Sequence, residues 1–338
     1  SKMSRKKFLS IMGASIALAT LSGCRKPVQK IVPYVNQPEG SIPGIPKYYA
    51  TTMPFGLNSF GVIVENHEGR PTHIEGNKNH PSSLGATNAF VQASVLDLYD
   101  PDRSKLIRNG GKRSSWKKLV ETIEQIKKDN KKIAILSPSF ASPSIYKIKT
   151  ELNIPWYCYD PVSNENELNG IRQIFGSKKN IFANYSFDAD CILSIDSDFL
   201  GADENSVKNT KQFSKKRKPL DREHPAKKGK DYTPPANATM NRLYVVEGSL
   251  TTTGAMADNR KRLKQSAINQ FVYDLWKCFK KKEPVSADNF TNQVYLDLKR
   301  SNSLIRGGAR LSSECHALII KMNQMLKSRY VEYIKKDS

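Results

Sequence analysis

Between Lys132 and Ile195 short apolar runs alternate with amphipathic stretches, and nothing else in the 338-residue chain limits its fold so strongly. Lys132-Ile133-Ala134-Ile135-Leu136 reads as a short buried strand, Ser144 to Leu152 as a helix and Trp156 to Tyr159 as a second strand. Glu165 to Phe175 reads as another helix, and Asp190-Cys191-Ile192-Leu193-Ser194-Ile195 as a third strand. Strands that alternate with helices are joined by crossovers, so they line up parallel and are covered by the helices between them. The expected class is α/β, a parallel sheet with flanking helices.

The flanks of this block are read in the same terms. Ser114-Ser115 can cap a helix whose Trp116, Leu119, Val120, Ile123 and Ile126 share one face. Phe60-Gly61-Val62-Ile63-Val64 and Pro71-Thr72-His73-Ile74-Glu75 surround Asn66 to Arg70 and read as a β-hairpin in a small N-terminal β subdomain. From Gly201 to Met240 the pattern dissolves into Lys215-Lys216-Arg217-Lys218, Lys227-Lys228-Gly229-Lys230 and Pro234-Pro235, a long basic insertion or linker. Order returns with a strand at Arg242 to Glu247, a turn at Thr251-Thr252-Thr253-Gly254 and basic helical sequence beyond Ala257. A last helix starts at Ser312 or Ser313 with Leu318, Ile319, Met322 and Met325 inward, and no closing element is read after it. The expected divisions are 1–23, 24–47, 48–112, 113–202, 203–240 and 241–338.

The first of these divisions reads as an export signal. Lys2, Arg5, Lys6 and Lys7 precede an apolar run from Phe8 to Leu21, and Leu21-Ser22-Gly23-Cys24 is a lipobox. Such a run is shorter than the roughly 20 apolar residues of a membrane-spanning helix, which marks it as a cleaved signal. Cys24 is the expected acylated N-terminus, and Arg25 to Pro46, with five prolines, an extended tether. Ser4-Arg5-Lys6-Lys7-Phe8-Leu9 is one residue from the twin-arginine pattern S-R-R-x-F-L, so Arg5, Lys6, Phe8 and Leu9 are the expected signal-recognition residues, by the twin-arginine or the general route. The expected location is the periplasmic side of a bacterial inner membrane, held by lipid.

A formal net charge of +22 favours anionic partners, and export makes nucleic acid the least compatible of them. The two Lys clusters beyond Ser214 would meet phospholipid headgroups or an acidic subunit. Cys158, Cys191, Cys278 and Cys315 are widely spaced, and no C-x-x-C exists to hold a local iron–sulfur loop or zinc knuckle. Cys158 with Cys191 is the pair to test for a disulfide, against buried free thiols. His67, His73 and His80 invite a metal reading, but their places on a hairpin and its exit favour separate hydrogen bonds. Asp196 and Asp198 follow a strand at a sheet's carboxyl edge, where open α/β folds bind ligands, and turn or capping chemistry is their competing role. Cys315-His316 are neighbours that diverge on a helix, and Thr251 to Gly254 lacks a phosphate-loop lysine. The expected catalytic, metal and cofactor residues are none.

Several stretches resemble the iron–sulfur protein of alternative complex III, a bacterial quinol:electron-acceptor oxidoreductase in which that protein is related to molybdopterin oxidoreductases. They are Lys30 to Val35, Ile42 to Thr52, Glu68 to Asn77, Asn79-His80-Pro81, Gly85 to Ala89 and Ser94 to Arg103. Glu247-Gly248-Ser249 to Asp258-Asn259-Arg260, and Glu314 to Leu318, are similar too. The resemblance is dense from Ser4 to Arg103 and patchy beyond. It implies a molybdopterin-oxidoreductase-like fold whose N-terminal β subdomain is a degenerate iron–sulfur domain, since Tyr48 to Phe60 and Gly85 to Ala89 lack the cysteines that cluster-bearing relatives carry there. It implies a cofactor-less scaffold in a respiratory chain, with other subunits of a quinol-oxidising membrane complex as partners. Iron–sulfur clusters and haem are then expected in a missing C-terminal half and in those subunits, the chain being a fragment, one product of a split gene or a shortened relative. A working molybdopterin oxidoreductase and an unrelated exported lipoprotein that binds an anionic ligand stay open as alternatives.

Overall fold

A computed structural model describes Gly40 and residues 42–55, 58–140, 142–177, 181–217 and 240–335. The chain divides into two compact units, one ending at Ile45 and one beginning at Pro46. Of the first, the described part is a turn in which Ile45 N–H donates to Ile42 O at 3.1 Å. Cys24, Arg5, Lys6, Phe8, Leu9 and the cluster Lys227 to Lys230 lie outside the described residues.

The second unit starts with an antiparallel sheet of β1 (Lys47–Phe55), β2 (Asn58–His67) and β3 (Arg70–Gly76), in that order. Between β2 and β3 the expected hairpin forms, and Glu68 and Gly69 both have positive φ, the conformation that matches a two-residue loop to strand twist. Asn66 Oδ1 accepts from Gly69 N–H at 2.8 Å and holds the turn. Helix α1 (Ala89–Ala93) and a 3₁₀ turn (Ser94–Leu98) cover this sheet, burying Val91 and Val95 against Phe60, Val62 and Ile74.

A minor hairpin, β4 (Arg108–Asn109) with β5 (Lys112–Arg113), leads to α2 (Trp116–Lys128). Ser115 caps α2 by accepting from Lys118 N–H, as its sequence implies. The apolar face of α2 is nevertheless exposed rather than packed. Next, β6 (Ile135–Ser137) and β7 (Trp156–Cys158) pair in parallel around α3 (Pro143–Leu152). Here the expectation fails in two ways. This pair is a separate two-stranded sheet, and Leu136 is 73% exposed instead of buried. A run of five residues with basic neighbours spells a strand, but which layer covers it depends on distant sequence.

After α4 (Glu165–Phe175) and β8 (Ile181–Tyr185) come β9 (Cys191–Ile195), α5 (Ser206–Arg217), β10 (Arg242–Glu247), the short α6 (Thr252–Ala255) and β11 (Asn259–Arg262). The chain continues through α7 (Gln265–Lys281), α8 (Asn289–Arg300), β12 (Ser303–Gly307), α9 (Ser313–Met325) and β13 (Val331–Lys335). The main sheet is wholly parallel, in the order β11-β10-β9-β12. Cys191, Leu193, Ile195, Tyr244, Val246 and Ile305 point to one face and pack under α7, α8 and α9. Ile192, Leu243, Val245 and Leu304 point to the other, against Phe187, Phe199, Tyr330 and Phe213 of α5. Both faces are thus covered, which explains why these strands read as continuous apolar runs.

Four further departures have physical causes. Part of the stretch read as an insertion is α5, whose few apolar side chains hide among Lys and polar residues; Val207 packs on the small β subdomain and Phe213 on the main sheet. Beyond Ala257 the basic sequence first forms β11, an edge strand exposed enough to carry charge. In α9 Ile319 and Met322 are buried as expected, but Met325 is exposed, and Cys315, His316, Ile320 and Asn323 turn inward. Asn323 is buried because its amide accepts from Ile305 N–H at 3.0 Å and donates to Ile305 O at 2.8 Å, continuing the ladder of β12. A closing element does follow α9, since β13 pairs antiparallel with β8.

Candidate functional site

The order β11-β10-β9-β12 contains a reversal. From β9 the chain builds outward through β10 to β11, then returns to lay β12 on the other side of β9. The loops leaving β9 and β12 therefore diverge, and open α/β sheets bind ligands in the crevice between two such loops. Asp196 and Gly308 are the first residues beyond those strand ends.

The crevice is bridged by protein groups. Asp196 has φ +54°, its N–H donates to Val246 O at 2.8 Å, and its side chain is only 1% exposed. Its carboxylate accepts from Gln265 Nε2 at 2.9 Å, Arg310 Nε at 3.0 Å and Arg310 Nη2 at 2.5 Å. Gly308 N–H donates to Ile195 O at 2.8 Å, and a Cβ there would lie 1.6 Å from Asp196 O, so the two loops touch at a point that admits glycine alone. Asp198 accepts from Thr253 N–H at 2.9 Å and Thr253 Oγ1 at 2.8 Å, and from Ala202 N–H at 2.9 Å. At the end of β10, buried Glu247 accepts from Thr251 Oγ1 at 2.7 Å and Arg260 Nε at 2.5 Å. The edge carboxylates mostly tie their loops to other elements, Asp196 to Gln265 and Arg310 and Asp198 to Thr253; the bond from Ala202 N–H to Asp198 is the local turn contact among them.

Beside this edge lies a cleft of about 190 Å³. Glu167 of α4, Tyr185 of β8, Arg306 of β12, Asp203, and Lys208 of α5 line it over the rings of Phe187 and Phe199. Glu167 accepts from Tyr185 Oη at 2.7 Å and pairs with Arg306, whose guanidinium lies 4.2 Å from the centre of the Tyr185 ring. Burial opposes the charge on Glu167, yet Arg306 and the Tyr185 hydroxyl outweigh it and hold the carboxyl below its ordinary range. Tyr185 is pushed well above its ordinary value, first by burial and then by Glu167. Burial raises Asp203 despite a 2.5 Å hydrogen bond from Ser197 Oγ. Burial lowers His316, whose Nε2 finds no hydrogen-bond partner. The arrangement is a buried, charge-balanced tie between three elements. Its lining carries acidic and basic groups of both signs that bond one another.

The other residues singled out from the sequence do not converge. His67 Nε2 lies 2.9 Å from Glu65, His73 Nε2 lies 3.4 Å from Glu75, and the His80 ring meets Ser82 Oγ at 2.8 Å. Cys158 is exposed whereas Cys191, Cys278 and Cys315 are buried, all of them free thiols, so the tested Cys158–Cys191 pairing is not formed. Burial pushes the Cys191 thiol up to about 12. Among the described residues no group of three or more His, Cys, Asp or Glu could hold a metal ion. Thr251 to Gly254 opens α6, with the Thr251 hydroxyl accepting from Gly254 N–H at 3.0 Å.

The two places where the resemblance puts iron–sulfur ligands contain no cysteine. The sequence from Tyr48 to Phe60 offers hydroxyls and a thioether in place of thiolates, with Tyr48 to Phe55 in β1 and Asn58 to Phe60 in β2. The loop at 85–89 closes directly on β3, and a Cβ on Gly76 would lie 2.2 Å from Ala86 O. Sequence reasoning missed the Glu167–Arg306–Tyr185 tie, whose members come from three elements up to 139 residues apart. It also missed Asp297, which accepts from Arg242 Nη1 at 2.5 Å and Tyr244 Oη at 2.6 Å. No motif spacing signals either group.

No family model matches the chain, and no curated protein does. Among solved structures it is similar to the formyltransferase/hydrolase complex FhcABCD from Methylorubrum extorquens, crystallised with methylofuran. The identity is 14% and the TM-score 0.41, over 65% of this chain and 56% of that one. The chain thus spans little more than half the length of that structure's chain, and a likeness this slight carries no weight for activity.

Proposed function

We propose that this chain is a cofactor-less scaffold in a membrane-associated quinol:electron-acceptor oxidoreductase of the alternative complex III type, with a molybdopterin-oxidoreductase-like fold. It is lipid-anchored through Cys24 on the periplasmic side of the inner membrane and packs against subunits that carry the redox groups. Its own part in the reaction is positional.

The observation that favours a scaffold over an enzyme is the closed switch point. Where an open α/β sheet would seat a dinucleotide-sized group, Asp196, Gln265, Arg310 and Gly308 join the two loops. The adjoining cleft, of about 190 Å³, has its polar groups bonded to one another. Its Arg306 and Glu167 satisfy each other instead of presenting a net charge to a ligand.

Purification from native membranes tests the reading. The chain should co-purify with haem-bearing and polytopic subunits, carry an acylated Cys24 by mass spectrometry, and contain molybdenum far below one atom per chain. Stoichiometric molybdenum would replace the scaffold with a working oxidoreductase. A chain that purifies without redox partners and retains an anionic ligand would instead be a lipoprotein of another kind.

A further inference from the structure

Helix α2 forms with its apolar side turned to solvent. Trp116, Leu119, Val120 and Ile123 fall at helical spacing, none of its residues is buried, and Trp116 is 70% exposed. With 3.6 residues per turn these side chains and Ile126 span an arc of about 120°, while Glu121 and Gln125 lie on the opposite side. The helix sits in strongly basic sequence, since residues 112–132 hold eight Lys and Arg against three Asp and Glu.

We infer that α2 is a docking element for an anionic phospholipid surface, lying in the headgroup plane with Trp116, Leu119, Val120 and Ile123 inserted. A narrow apolar face with an aromatic residue, a charged opposite face and a Lys-rich composition are the marks of interfacial helices. Lys127 favours lipid over an apolar protein surface as the occupant. It lies on the apolar meridian, about 20° from Trp116 in projection, at the far end of the helix. Under an apolar protein surface its ammonium would be desolvated without a counter-charge. At a bilayer its four-carbon stem lies along the apolar layer and its head reaches the phosphates. A second copy of this chain is disfavoured because the same basic surface would face itself across the contact. The helix also satisfies its interior backbone hydrogen bonds by itself, as a segment at the hydrocarbon boundary must. The inference rests on α2 and stands whether or not the chain serves a quinol-oxidising assembly.

Hydrogen–deuterium exchange on the full chain provides the test, with vesicles of phosphatidylcholine containing 30% phosphatidylglycerol and with pure phosphatidylcholine. Bulk sedimentation would also report the apolar run Phe8 to Leu21, so the readout is confined to amides 116–128. They should slow about tenfold on the anionic vesicles and little on the neutral ones, an effect weakened by high salt because the Debye length shrinks to about 3 Å at 1 M. Ile123→Glu, at a solvent-exposed position, should leave the circular dichroism spectrum unchanged and abolish the protection. Lys117→Gln with Lys127→Gln should weaken vesicle binding by α2 about 25-fold, each cation near an anionic surface being worth about fivefold. Amides 116–128 that stay unprotected while vesicles carry the chain would overturn the inference. So would equal protection on neutral vesicles, or protection that appears only when a partner protein is added.

Discussion

Arg306→Met is the most informative single change in this fold. Arg306 links β12 to Glu167 on α4 and Tyr185 on β8, with its own side chain 16% exposed and that of Glu167 12%. Both charges are too well covered for solvent to screen them as in a surface pair, whose worth is about 0–1 kcal/mol. Removing one partner leaves Glu167 charged and buried, with Tyr185 its remaining donor, at a cost of about 3–5 kcal/mol. Glu167→Gln should cost about 3 kcal/mol for the mirror reason, and the double variant no more than either single one. The coupling is then about 3 kcal/mol, at the upper end for residues in contact. Urea unfolding followed by circular dichroism measures all four corners of the cycle, and the melting temperature of Arg306→Met should drop by about 5–8 °C. Acid adds an independent arm. Glu167 titrates below its usual 4.5 in the fold, so its contribution is present above that value and lost as pH falls through the lowered one. That acid-side decline should shrink in Arg306→Met. A loss under about 1 kcal/mol, or strictly additive singles, would show that the tie is solvated and that the cleft is not a closed junction.

Phe213→Ala should destabilise by about 3–5 kcal/mol, because Phe213 is 3% exposed and meets the Phe199 ring at 5.8 Å; a smaller shift in the urea midpoint would mean that α5 is not part of the core. His316 is held neutral below its usual 6.5, so its site is fully stable above that pH and loses stability as pH falls from there through the depressed value; His316→Leu should flatten this part of a pH–stability curve. Native labelling with a thiol reagent should modify Cys158 quickly and leave Cys191, Cys278 and Cys315 unmodified until urea is added, while Cys158→Ser should not change non-reducing electrophoretic mobility.

The elements most legible in the sequence are those whose local code is complete. The helix Glu165–Phe175 and the strand Arg242–Glu247 have the bounds their sequences imply, and Ser115 and Ser312 cap where expected. Hydroxyl caps and apolar period act within a few residues, so they survive into the fold unchanged. α5 was illegible because Val207 and Phe213 lie on different sides and meet different layers, leaving no single stripe to find. β13 was illegible because its pairing with β8 lies about 150 residues away in the chain. At the candidate site, the position of Asp196 and Asp198 behind a strand could be read, but not that Gln265 and Arg310 close over Asp196, which needs side chains from β9, α7 and the loop after β12.

By itself the sequence determined the class of this protein, strands alternating with helices around a parallel sheet, together with most helix starts and the absence of thiolates from Tyr48 to Phe60 and Gly85 to Ala89. These properties are local, and each is settled by residues that are neighbours along the backbone. Only the tertiary structure decided the order β11-β10-β9-β12, the joining of Asp196 to Arg310 across the reversal, the burial of Glu167 with Arg306, and the exposure of α2. Those depend on which surfaces meet, and desolvation acts on a side chain according to what covers it in space rather than what precedes it in the chain.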